Sequence, residues 1–171
     1  MSGAGSCRIE TYQVKTGARF AGKKVEIFRF LARGRREGPT VTITAAQHGR
    51  ELNGIEVARR IMEWGQGKRL RGTLQVFPVV NPPAVEAVSQ TVPGETQNLN
   101  RIWPGREKGT VTERIAAAVA PYVAESDYLI DLHCWSQWSV STALISSLEG
   151  RPALDLARAF GLRFVFSNVR G

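Results

Sequence analysis

The hydrophobic pattern of this chain changes period again and again, and that constrains its fold more than any other feature. Val25–Leu31 (VEIFRFL) and Thr40–Ala46 (TVTITAA) are rich in β-branched and aromatic residues and read as strands. Ile55–Trp64 then moves to a 3.6-residue period, with Ile55, Ala58, Ile61 and Met62 on one face and Gly65 and Gly67 closing the helix. Leu74–Val80 returns to a strand pattern, which Pro78 weakens and Asn81-Pro82-Pro83 stops. Thr112–Val123 is helical, with Thr110 or Thr112 as its cap and Pro121 as an interruption. Tyr128–Leu132, Val140–Ile145 and Arg163–Phe166 read as strands, and Pro152–Phe160 as a helix with proline in its first turn. Ser89–Gly109 holds no period, and aperiodic segments of that length inside a domain are usually functional. This alternation predicts an α/β fold, a mixed and largely parallel central sheet flanked by helices. A length of 171 residues fits a single domain over 1–171.

Charge is the first clue to partners. The chain carries 23 basic and 15 acidic residues, a net charge of +8. The basic residues are scattered, with small clusters at Arg33–Arg36 and Lys68–Arg71 in expected turns. Neither cluster is interleaved with the aromatics a single-strand binder uses, so no nucleic-acid partner is expected. Such charge suits an acidic small-molecule substrate through long-range steering. No apolar run approaches the roughly 18 residues of a membrane span, and the N-terminal stretch has no apolar signal core. Two cysteines, Cys7 and Cys134, fit a reducing compartment. No membrane partner and a cytoplasmic location are therefore expected.

The chain has two histidines, and both follow directly on a strand: His48 after TVTITAAQ and His133 after YLIDL. In open α/β sheets ligands bind beyond the carboxyl ends of strands, so the two imidazoles are expected at one sheet edge. Glu51 stands three residues after His48 across a strand-to-helix turn, where Gly49 permits a sharp bend. Catalytic zinc takes three protein ligands, two His and one Glu among the known sets, and leaves a fourth position open. Alone, Glu51 also suits a helix first turn, where a carboxylate is favourable without any metal. A third cluster, Asn98-Leu99-Asn100-Arg101-Ile102-Trp103-Pro104-Gly105, lies in the aperiodic segment and joins amides to an arginine. A guanidinium fork binds a carboxylate through two parallel hydrogen bonds.

Taken together, His48-Gly-Arg-Glu51-Leu-Asn-Gly54, Asn98-Leu-Asn-Arg101-Ile-Trp-Pro-Gly105 and Asp131-Leu-His133 resemble the zinc carboxypeptidase clan, and within it the succinylglutamate desuccinylase/aspartoacylase family. The resemblance implies a zinc carboxypeptidase-like α/β fold and a zinc-dependent amidohydrolase acting on a small acidic N-acyl amino acid. It implies one Zn2+ per chain held by His48, Glu51 and His133, with Asn100 and Arg101 binding the substrate carboxylate. Asp131 would orient a ligand or serve as a satisfied strand-end carboxylate.

Departures from the family pattern set further expectations. The family's general-base glutamate lies well downstream of the last zinc histidine, whereas this chain ends 38 residues after His133. Glu149, the one glutamate in that stretch, stands in an expected turn, so the catalytic base is expected to be missing and the chain truncated at its C-terminal side. Where relatives carry an oxyanion arginine, this chain reads Ser89-Gln90-Thr91-Val92, leaving Gln90, Arg50 or Arg106 as donors. Cys134, pointing away from His133, is expected to be an inert buried thiol. The rival readings are a carboxypeptidase-like metallopeptidase and an inactive metal- and carboxylate-binding module.

Overall fold

Two long strands, β1 (Ile9–Phe20) and β2 (Lys23–Arg33), form an antiparallel hairpin at one end of a sheet. Ala21 and Gly22 both take positive φ, 46° and 79°, the backbone that a tight hairpin turn requires. Strand β1 buries Val14, Thr16 and Ala18 on alternate positions, and its register shifts between Lys15 and Arg19 around Gly17, whose φ is 66°. The sequence reading gave no strand here, because β1 is polar on its outer face and broken by that irregularity. The computed structural model describes residues 7–134, 140–145 and 150–167. They fall into two compact units, Met1–Cys134 and Trp135–Gly171.

In the first unit the hairpin joins β3 (Arg36–Ala45), β4 (Arg71–Phe77) and β5 (Tyr128–Leu132) in a five-stranded sheet of order β1-β2-β4-β3-β5. The α/β class and the mixed sheet are as expected. Parallel and antiparallel pairings are two each in this sheet, because the hairpin brings in the antiparallel ones; the parallel pairs are β3–β4 and β3–β5. The clusters Arg33–Arg36 and Lys68–Arg71 lie at strand ends and turns, exposed apart from Gly34 and Leu70.

Helices cover both sheet faces. On one, α3 (Val111–Ala124) packs Ile115, Ala116 and Val119 against Val14, Ile27 and Phe77. On the other, α1 (Asn53–Gly65) lays Ala58, Ile61 and Met62 over Ile43 and Val76. Adjacent strand residues Val76 and Phe77 thus serve opposite layers. Thr110 caps α3: its side chain accepts the Glu113 N–H, and the Glu113 carboxylate accepts the Thr110 N–H. Pro121 does not interrupt that helix. It sits exposed in the last turns, where one lost backbone bond is tolerated, and α3 runs on to Ala124. Asn81-Pro82-Pro83 does more than end β4. Asn81 caps a short helix, α2 (Pro82–Glu86), with proline in the first helical position.

In the second unit β6 (Thr142–Leu144), α4 (Gly150–Phe160) and β7 (Phe164–Phe166) form a strand–helix–strand unit with β6 and β7 parallel. These elements match the expected pattern. Glu149 lies outside the described residues. No described helix is long and apolar enough to cross a membrane.

Candidate metal centre

The β3–β5 register brings the two histidines together. Thr44 pairs with Asp131 and Ala45 with Leu132, so both strands end at one level and His48 and His133 leave the same edge. Beyond β3 the backbone turns sharply at Ala46, a buried residue with φ 54°. Such a conformation strains a non-glycine residue and persists only where its surroundings fix it. Here the Ala45 and Ala46 carbonyls accept the N–H groups of Val80 and Asn81, at 3.0 and 3.2 Å. The chain turns first at Ala46 and again at Gly49 and Arg50, the central pair of the turn that follows. Packing also demands glycine at 49: a Cβ there would stand 2.0 Å from the backbone of Ala84.

The next turn, closed by the Glu51 N–H on the His48 carbonyl at 3.1 Å, swings the Glu51 carboxylate back toward the imidazoles. His48 Nδ1 donates to Glu51 Oε1 at 2.8 Å, and His133 Nδ1 donates to Glu51 Oε2 at 2.8 Å. The Cys134 N–H adds a bond to Oε2 at 3.1 Å. Each ring's other nitrogen meets a fixed acceptor. His48 Nε2 donates to Asn98 Oδ1 at 2.9 Å, an oxygen that also accepts the Asn100 N–H and so cannot be the amide nitrogen. His133 Nε2 donates to Asp131 Oδ2 at 2.7 Å. Asp131 in turn accepts from Thr44 at 2.7 Å and from the Gln47 amide at 2.5 Å.

Electrostatics follow this geometry. Burial works against charge on Glu51, but the bonds from His133, His48 and Cys134 outweigh it and hold the carboxyl at about 2. Burial likewise opposes charge on His133, while Asp131 and Glu51 push it up to about 10. His48 is raised, chiefly by its bond to Glu51. A carboxylate between two imidazolium rings is what this donor set forms with protons in the place of a cation.

His48, Glu51 and His133 each offer a ligand atom, and these atoms lie within 4.8 Å of one another. With Nε2–H committed outward on both rings, loss of the Nδ1 protons leaves two imidazole lone pairs and a carboxylate converging inward. That arrangement fits a divalent transition metal, with outer partners already in place. The Cys134 thiol is half-buried and outside this group; its backbone N–H is the part that reaches the site.

Asn100 and Arg101 lie in a 3-10 turn, Leu99–Arg101, beside the centre. Asn100 Nδ2 stands 3.5 Å from His133 Nε2, and exposed Arg101 spends one donor on the Asn100 carbonyl at 3.0 Å. Arg106 is not placed to stabilise an oxyanion, because its guanidinium is engaged with Glu113 at 2.6 and 2.8 Å. Sequence reasoning assigned no role to Gln47, and placed Asn98 and Trp103 only within the amide- and arginine-bearing cluster, Trp103 as a cap on the core, against which it does pack. A polar glutamine directly after an apolar strand and before His48 was the one local signal available.

Residues 37–170 match the model of the succinylglutamate desuccinylase/aspartoacylase catalytic domain. A relative from Halomonas elongata, N-alpha-acetyl-L-2,4-diaminobutyric acid deacetylase, is 34% identical over 134 residues, covering 74% of this chain and 39% of its own length. A succinylglutamate desuccinylase/aspartoacylase from Rhodobacter sphaeroides superposes with a TM-score of 0.76 at 25% identity, over 85% of this chain and 46% of that one. The product-bound ectoine utilization protein EutE (DoeB) from Ruegeria pomeroyi shares the fold, with a TM-score of 0.78 at 23% identity, over 96% of this chain and 53% of that one. The chain spans about two-fifths of the curated relative and half of these structures. By the family match along most of its length, this chain belongs to the succinylglutamate desuccinylase/aspartoacylase family.

Proposed function

We propose that this chain carries the zinc site and the carboxylate clamp of a hydrolase that cleaves the amide of an N-acyl amino acid. The observation that carries this reading is the inward convergence of His48 Nδ1, Glu51 and His133 Nδ1, each ring held from outside by Asn98 or Asp131. His48, Glu51 and His133 would hold one Zn2+ per chain, the metal suited to a two-His, one-Glu set with an open position. When bound, zinc supplies polarisation of the acyl carbonyl and a water of lowered pKa.

The remaining work belongs to the chain's own side chains. Asn98 and Asp131 keep the rings in one tautomer and orientation. Among the described residues Arg101 gives one donor to the Asn100 carbonyl and lies exposed, where it would bind the substrate α-carboxylate with Asn100 beside it. Among the described residues the carboxylates at the centre are Glu51 and Asp131, both engaged by hydrogen bonds. Proton transfer to the leaving amine is therefore assigned to neither. The deacetylase relative supports an N-acylated amino acid as substrate class. Free thiols at Cys7 and Cys134 suit a reducing, cytoplasmic setting.

Elemental analysis of the purified chain and of its His48→Ala and His133→Ala variants tests the metal. Near-stoichiometric zinc lost in both variants is expected; full zinc occupancy in either overturns the site. Calorimetric titration with an N-acetyl amino acid and with its α-amide tests the clamp. Binding of the acid alone, abolished by Arg101→Ala, is expected, and equal binding of both overturns that role.

A further inference from the structure

Gln47 is buried at 4% exposure and lies one residue before His48, yet its side chain faces two groups from other parts of the chain. Its amide nitrogen donates to Asp131 Oδ2 at 2.5 Å, and its amide oxygen accepts from Trp103 Nε1 at 3.0 Å. An indole N–H only donates, which fixes the glutamine oxygen on the Trp103 side and turns the amide nitrogen to the accepting Asp131 oxygen, so the bridging group must offer one donor and one acceptor at once. A glutamine amide does so in a single orientation. Its own carbonyl is fixed as well, accepting from Asn81 Nδ2 at 3.1 Å, and Asn81 is fully buried.

The two bridged groups belong to the two halves of the site. Asp131 holds the His133 ring, and Trp103 lies in the segment that presents Asn100 and Arg101. We propose that Gln47 is a positioning residue that ties the metal ligands to the carboxylate clamp. It thereby sets the distance between the acyl end and the carboxylate end of the substrate. The proposal rests on the zinc-site reading above and adds to it the rule that the two ends move together.

The indole 15N–1H resonance of Trp103, identified by its loss in Trp103→Phe, reports the bridge directly during titration with Zn2+. In wild type, zinc is expected to shift that resonance, saturating at one equivalent. Gln47→Met fills the same volume with neither bond. Its Trp103 resonance is expected to be displaced and silent to zinc, with zinc affinity lower by about tenfold. Gln47→Glu keeps the acceptor for Trp103 but opposes a second carboxylate to Asp131. Zinc affinity is then expected to fall at least as far while the Trp103 resonance stays near its wild-type position. A purely structural glutamine would not separate the two variants in this way. If zinc binds and Trp103 responds alike in wild type and both variants, or does not respond in wild type, the coupling is overturned and the zinc site stands. Absence of zinc uptake by wild type overturns the zinc site and the coupling with it.

Discussion

The rings of His48 and His133 stand 5.1 Å apart between centroids, and the two oxygens of Glu51 divide their Nδ1 atoms between them. Glu51 therefore balances the charge of the metal-free site as well as offering a ligand to a metal. Glu51→Gln turns one of these acceptors into a donor facing either an imidazole or the Cys134 N–H. The amide can meet the Nδ1 lone pair of a neutral His48 while its oxygen keeps His133 and Cys134, so the variant loses the charge that faces the two rings rather than a matched bond, and its metal-free form should unfold at a lower temperature. Zinc should raise the melting temperature of wild type by mass action and leave that of the variant unchanged. Calorimetric scans with and without zinc check both.

In the proposed zinc site Asp131 would act on the metal only through His133, whose Nε2 it holds. Asp131→Asn can keep its oxygen toward His133 and Gln47 and turn its amide to the Thr44 hydroxyl, which accepts as well as donates, so it retains the shape but loses the negative charge behind Nε2. Outer partners of metal-bound histidines contribute about 10–100-fold in affinity, and a loss of that size is expected in competition with a chromophoric chelator. Unchanged affinity would reduce Asp131 to a strand-end carboxylate.

Glu113 gives the fold a dependence on acid. The Thr110 N–H and the Arg106 guanidinium hold its carboxyl below the ordinary value of 4.5. A depressed carboxyl stabilises the folded state fully above its unfolded value, and that contribution is lost as pH falls through the folded one. Wild type should therefore exceed Glu113→Gln in stability at neutral pH, with the gap closing as pH drops below about 4.5. Urea unfolding across that range measures the gap; one that stays constant would show that the charge contributes nothing.

His48, Glu51 and His133 were legible in the sequence because strand exits mark one sheet edge, and a short His-to-Glu spacing survives any nearby turn. The contacts that organise them were not. His48 to Asn98, Gln47 to Trp103 and Glu51 to the Cys134 N–H join segments separated by fifty residues or more, and no spacing rule carries that information. Gly49 reads as a hinge in sequence and does stand in a turn, yet packing adds a demand for glycine through Ala84, a neighbour no spacing names. Strand β1 escaped because a half-polar edge strand interrupted at Gly17 lacks a continuous alternation.

Leu99 links the stability of the core to the geometry of the site. It is 1% exposed and packs in the cluster that contains Ile115 and Val119, while its neighbours Asn98 and Asn100 face His48 and His133. Leu99→Ala should cost about 2–5 kcal/mol, as emptied core positions do. Ile115→Ala opens the same cluster from α3, away from the site, and should cost a similar amount. The two should part company on zinc. With its anchor gone, the Asn98 turn no longer fixes the His48 ring, so Leu99→Ala should bind zinc more weakly than Ile115→Ala under conditions where both are folded. Equal zinc affinity in the two would mean that the turn is held by its own hydrogen bonds and owes nothing to the core beneath it.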